Sequence, residues 1–433
     1  MQRFFYIPNN FFLNGETLMR KLILLNLIIC LFQLKPYAQT DSLSLSKAIE
    51  LALKHNQNIT LANQEIEKSK YALKEVKSNL LPSIYGLSHY IYTPENGYDP
   101  VVTNGGEYGL QVSANYTLFD GGIRGALINK ANVNVKGRNL SLQQTKSEIR
   151  YLVRVVYFEI SVAKNELNAQ RNGVTELTNY LQLLEQLKAG GVATESDVLK
   201  AKVDLNNLII TLETSKQKIE KLKFDMNNLL GRRIDEPFEI YESAATDTTT
   251  GLNSELNKMI DLELAKNQAK ASSYDVNIAK GEKLPRLSIN GDAGVLGVKP
   301  NNIKQDAGYS LFLSFSVPLY TWGGIDSRIQ QAEISQKQAL TNVDLTDRAL
   351  QTQRLSILSE IELAKKNMIN YQSSIKTAEE NFLSSEARFK GGSGTNLDVL
   401  DAHRLVIQAE LNYNNSVLQY QTARASLLRL YGL

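Results

Sequence analysis

Cysteine is all but missing from this chain. The single one, Cys30, lies in an apolar run near the start, so the remainder has no disulfide and no thiol chemistry. Histidine is almost as scarce. His55, His89 and His403 are scattered without metal-ligand spacing, and neither a metal nor a cofactor is expected. No serine or cysteine nucleophile motif occurs, and "GGIRGAL" lacks the G-x-G-x-x-G spacing of a dinucleotide site. An enzyme is therefore disfavoured. An excess of one charge is lacking too. Setting aside residues 1–38 removes four of the 48 basic residues and one of the 45 acids, which leaves the two signs balanced. Nucleic acid is not an expected partner. Finally, no run of eighteen apolar residues follows the start, so any membrane crossing has to be made by a β-barrel.

The 8% aromatic and 21% charged content are those of an ordered protein. From Met19 the chain reads "MRKLILLNLIICLFQLKPYAQT": a basic pair, an apolar run from Leu22 to Leu34, then Ala38. Residues 1–38 read as a signal region with Met19 as the expected true start, because the apolar run is too short for a membrane span. Lipid attachment at Cys30 is the alternative, disfavoured by the bulky Ile29 before it.

The rest is a duplication. "LLPS" (80–83) matches "KLPR" (283–286), "AGGVATESDVL" (189–199) matches "GGSGTNLDVL" (391–400), and "LLG" at Gly231 matches "LYG" at Gly432. The offset of roughly 201 to 203 residues is too long for a solenoid unit. Expected are a first repeat over 39–231, a polar Thr-rich linker over 232–253, and a second repeat over 254–433. Each repeat changes period abruptly. Tyr108, Leu110, Val112, Ala114, Tyr116 and Leu118 alternate with polar residues, as do Tyr309 to Leu319 and Ile289 to Val295. Strands are expected near 83–93, 107–119, 287–297 and 308–319, long enough to cross a bilayer at a tilt. A soluble half-buried sheet shares this alternation.

Then the period becomes seven. Val153, Ile160, Leu167, Val174 and Leu181 begin the pattern in the first copy, and Ile361, Met368, Ile375, Phe382 and Phe389 in the second. Such heptads mean coiled-coil packing, here as antiparallel hairpins near 123–230 and 325–431. The long helix from Ile123 spans about 100 Å, and two shorter helices end to end match it. Four strands cannot close a barrel, and open edges are prohibited in lipid, so several chains must pool their strands. Gly121, Gly122, Gly323 and Gly324 supply the freedom for the strand-to-helix turn, while Pro82, Pro285 and Pro318 end regular pairing at the same boundary.

"SFSVPLYTWGG", "GTNLDVLDA" and the duplicated layout resemble the TolC-type outer-membrane efflux channel family, from about Ser44 to Gly432. The resemblance implies an α+β membrane fold in which three copies build a twelve-stranded outer-membrane β-barrel. A periplasmic α-helical coiled-coil barrel continues it. It implies passive conduction in a tripartite efflux or type I secretion system, with a periplasmic adaptor and an inner-membrane pump of RND, ABC or MFS type. It places a pore gate at "DVLDA", with Asp398 and Asp401 three apart on one helix face and Asp197 corresponding in the first copy; there Lys200 replaces the second acid. Helix N-terminal acids favoured by the dipole are the plainer reading of these residues. The tips Gly190, Gly191, Val192 and Ala193, and Gly391, Gly392, Ser393 and Gly394, are expected to meet the adaptor. One departure stands out. Phe389 and Gly394 fall where the family's tyrosine and arginine hold the tip closed. A coiled-coil stalk or adhesin is the rival reading, but it has no need of four membrane-length strands in a duplicated unit.

Overall fold

A computed structural model describes residues 42–92, 107–241, 259–297 and 307–433; the signal region, Cys30 and linker residues 242–253 lie outside them. The alternating segments form one antiparallel sheet: β2 (Ser83–Ile91), β3 (Glu107–Phe119), β5 (Arg286–Gly297) and β6 (Ala307–Ser316), in the order β2-β3-β5-β6. Cross-strand partners set the faces. Tyr85, Ser113, Asp292 and Ser310 stand in one tier, and Ser83, Asn115, Asn290 and Phe312 in the next. The opposite face carries Ile84, Ala114, Gly291 and Leu311 with their neighbours two residues away. A polar face thus backs an apolar one. β6 ends at Ser316, short of the alternating pattern, which runs on to Leu319: Pro318 has no N–H for the ladder.

The helical layer repeats the strand order. α2 (Gln57–Ser78) leads into β2, β3 leads into α3 (Ile123–Ala189), α5 (Ile260–Gly281) leads into β5, and β6 leads into α6 (Gly324–Lys390). α3 packs on α2 at one side and α5 at the other, and α6 packs on α5. Farther from the sheet, α4 (Glu195–Leu230) continues below α2, and α7 (Asn396–Leu430) below α5. Both α3 and α6 have 67 residues, about 100 Å each at 1.5 Å per residue. The heptad residues Val153, Ile160, Ala163, Leu177 and Leu184 are buried along α3.

The mid-length of α3 carries an added layer that sequence periodicity did not separate. A two-residue strand β1 (Ser42–Leu43) pairs in parallel with β4 (Glu239–Ile240), and α1 (Leu45–His55) lies beside them. Asn56 separates α1 from α2: its N–H closes the first helix on Ala52, and its side chain accepts from the Asn58 N–H at 2.9 Å to open the second. Tyr157 Oη donates toward the carbonyls of Leu43 (3.2 Å) and Tyr241 (3.0 Å). Glu239 binds Lys164 at 2.5 Å and Lys223 at 3.0 Å. The start of the segment read as a polar linker is therefore anchored, with Phe238 only 1% exposed in the largest apolar core.

Candidate functional site at the hairpin tip and the strand–helix junction

The two helical hairpins end in the same turn, residue for residue at an offset of 201. α3 closes on Gly190, and Gly191 has φ +78°; α6 closes on Gly391, and Gly392 has φ +72°. The chain then enters the next helix through a capping box. Thr194 N–H donates to Asp197 Oδ2 at 3.0 Å, while Asp197 N–H donates to Thr194 Oγ1 at 3.2 Å. Thr395 and Asp398 repeat this at 3.0 and 3.2 Å. Two orphan helix donors are satisfied reciprocally at each tip. Asp197 and Asp398 are thus helix-capping acids by geometry. The hydroxyl and N–H of Thr194 hold the Asp197 carboxyl below the usual range, and the N–H and hydroxyl of Thr395 do so for Asp398. Asp401, one turn on, is exposed and pairs with Arg404.

A small core joins the hairpins. Leu177, Tyr180, Leu184, Val198 and Ala201 of the first meet Phe389, Val399 and Leu400 of the second. Ala193, expected at an exposed tip, is instead buried in this core at 7% exposure because its turn folds back on Leu187; Val192 beside it is exposed. Phe389 also lies inside, its ring 6.2 Å from that of Tyr180. Tyr180 Oη donates to Asn396 Oδ1 at 2.8 Å, and Asn396 Nδ2 donates to the Asp197 carbonyl at 3.2 Å and to Asp197 Oδ1 at 3.3 Å. Burial, then the nearby Asp197 and Glu386, push the Tyr180 hydroxyl up, so it stays a neutral donor. This polar link between hairpins was missed in the sequence. Its members sit 216 residues apart; Asn396 lies within the repeated motif, but its counterpart in the first copy is Glu195, so the repeat did not point to it.

On the sheet side of this core, His403 on α7 is 3% exposed, with Nε2 3.5 Å from Glu176 Oε2 on α3 and its ring 5.5 Å from Phe382 on α6. Burial lowers its pKa, against the upward pull of Glu176 and Asp204.

The other group of expected residues lies at the junction. Pro82 and Pro285 immediately precede β2 and β5, and Pro318 follows β6. Gly121 and Gly122 have φ +70° and +83°. In the second repeat the left-handed pair is Trp322 (φ +51°) and Gly323 (φ +77°), so Gly324 is the first residue of α6 rather than part of the turn. The pairing Gly121-Gly122 with Gly323-Gly324 is therefore one residue out of step. The alignment of glycines concealed a tryptophan in a glycine conformation. Among the described residues no cluster of His, Cys, Asp or Glu could hold a metal ion, and no helix is long and apolar enough to cross a membrane.

The model of the family described as outer membrane efflux protein matches residues 48–222 and 252–433. The chain is similar to outer membrane protein TolC of Salmonella enteritidis, 21% identical across 84% of this chain and 78% of that protein. It is also similar to cobalt-zinc-cadmium resistance protein CzcC of Cupriavidus metallidurans, 21% identical across 92% of each. Among solved structures it shares its fold with the outer membrane protein VceC of Vibrio cholerae: TM-score 0.77, 17% identity, 90% of this chain and 96% of that one.

Proposed function

The chain belongs to the outer membrane efflux protein family, and from that membership we propose that three copies close into one conduit that is gated at the hairpin tips. The protein is an outer-membrane channel subunit of an efflux system and extends into the periplasm. One observation carries the assembly: a four-stranded sheet whose outer strands, β2 and β6, each lack a partner on one side among the described residues. Lipid offers no substitute for those missing hydrogen bonds. Three sheets make twelve strands, within the size range of membrane barrels.

The helical layer supports the same closure. α6, at one edge of the protomer, exposes Ile334, Leu345, Leu355, Leu363, Ile369 and Leu383; α2 and α4, at the other, expose Leu61, Leu199, Val203 and Ile210. Full burial of such a side chain is worth roughly 1.5–3 kcal/mol, so these two unlike edges favour a head-to-tail ring. Around a threefold axis Asp398 and Asp401 form carboxylate rings at the narrow end, which attract cations and repel anions. Asp197 lies at the seam between the hairpins of one protomer and helps to hold the tip. Gly190 to Val192 and Gly391 to Gly394 are the protruding turns and would meet a periplasmic adaptor, which couples the tube to an inner-membrane pump. The names of the relatives span metal resistance and general outer-membrane roles, and the cargo of this chain is left to the pump.

Planar-bilayer recording tests the gate. The double change Asp398→Asn with Asp401→Asn is expected to reduce cation selectivity and weaken block by divalent ions. Selectivity and block equal to those of the unaltered chain would remove these residues from the role.

A further inference from the structure

The chain turns from strand to helix twice in a left-handed pair, and the first residue of that pair differs in kind: Gly121 in one repeat, Trp322 in the other. The need for glycine at 121 is visible in its surroundings. A Cβ there would stand 2.5 Å from the carbonyl oxygen of Gly281 and 2.8 Å from Leu284 Cβ, because the α5-to-β5 turn abuts it. Among the described residues Trp322 has no such close neighbour. β6 is the edge of the sheet, Trp322 is 86% exposed, and its ring contact is an edge-on one with Tyr320 at 4.7 Å. A left-handed backbone is disfavoured for an L-residue, and a bulky residue in that region signals a constraint rather than a preference.

The duplication says what should stand there. The turn that abuts Gly121 has its counterpart 203 residues earlier, in the α2-to-β2 turn: Ser78 for Gly281, Leu81 for Leu284, Pro82 for Pro285. In a closed ring of sheets β6 lies beside β2 of the next copy. Resting on that ring, we infer that Trp322 packs against Leu80 and Leu81 of the adjacent copy and fills the seam where barrel meets tunnel. Those two leucines are 44% and 68% exposed in the single chain, and Leu319 beside the tryptophan is 90% exposed. The inner junction leaves no room for a Cβ. The seam between copies must therefore be wider by a side chain, and the indole occupies the difference. The assembled ring alternates three close glycine junctions with three aromatic-filled ones.

The test uses two differently tagged full-length chains in one outer membrane, both carrying Cys30→Ser. One bears Trp322→Cys and the other Leu81→Cys. A bis-methanethiosulfonate with a spacer about as long as the indole is expected to link the two thiols and so join the two tags. Assembled trimers without that mixed crosslink would overturn the contact and leave the trimer standing, whereas absence of any trimer from the unaltered chain would overturn both. A second measurement needs no substitution, because Trp322 is the sole tryptophan in the sequence. In vesicles of phospholipid with brominated acyl chains, its emission should stay unquenched and blue-shifted relative to chain dissociated in SDS. Strong quenching places the ring in lipid and rejects the contact between copies.

Discussion

Tyr180 and Asn396 show how few atoms hold the two hairpins of one protomer in register. Tyr180→Phe keeps the ring against Phe389 but leaves the buried Asn396 Oδ1 without its donor, a cost of about 1–3 kcal/mol. The expected result is a looser tip with a larger time-averaged conductance in planar bilayers and normal assembly. Conductance equal to that of the parent would show that the link does not restrain the tip. His403 offers a pH-dependent reading of the same region. Burial depresses its pKa below the ordinary 6.5, so the unfolded chain takes up a proton before the folded one does. Its contribution to stability is intact above about pH 6.5 and is lost as pH falls toward the depressed folded value. Glu410, raised by burial and by Glu176 and Glu379, pulls the other way. The informative quantity is thus a difference between variants: His403→Leu should lose less thermal stability between pH 7.5 and 5 than the parent. An identical loss would mean that His403 does not carry the acid sensitivity.

At the scale of elements, the junction separates two glycines of similar φ. Gly121→Ala meets the Gly281 carbonyl, whereas Gly122→Ala has nothing within 4 Å and bears only the left-handed penalty of roughly 1–2 kcal/mol. Thermal dissociation of the assembled protein should therefore fall far more for Gly121→Ala; equal falls would mean that the α5-to-β5 turn does not abut Gly121. Elements with a sustained period were the legible ones. The alternation from Tyr108 to Leu118 lies on β3, and the heptads through Val153 and Ile160 lie on α3, because burial of one face forces residue type to follow the period. What escaped had no period to follow. β1 and β4 have two residues each, and α1 differs from a continuation of α2 only by the conformation of Asn56. Trp322 escaped for a different reason: an aromatic in a left-handed turn contradicts its own residue preference, so glycine pairs were matched in its place. The candidate site divides in the same way. The motif "DVLDA" was visible, and its first acid also caps α7 as its place at a helix start suggested, whereas the Tyr180–Asn396 link is tertiary.

The whole molecule is incomplete by design of its edges. One side of the protomer ends in β2, α2 and α4, the other in β6 and α6, and the two sides expose different apolar surfaces. Unlike edges that repeat around an axis close only when the angle between copies divides a circle, and the three copies proposed from family membership give a twelve-stranded ring within the size range of membrane barrels. The most direct test is the native mass of the protein extracted from outer membranes in mild detergent. Three chains in one particle is the expected result. A stable single chain, its β2 and β6 edges unpaired, would contradict the account.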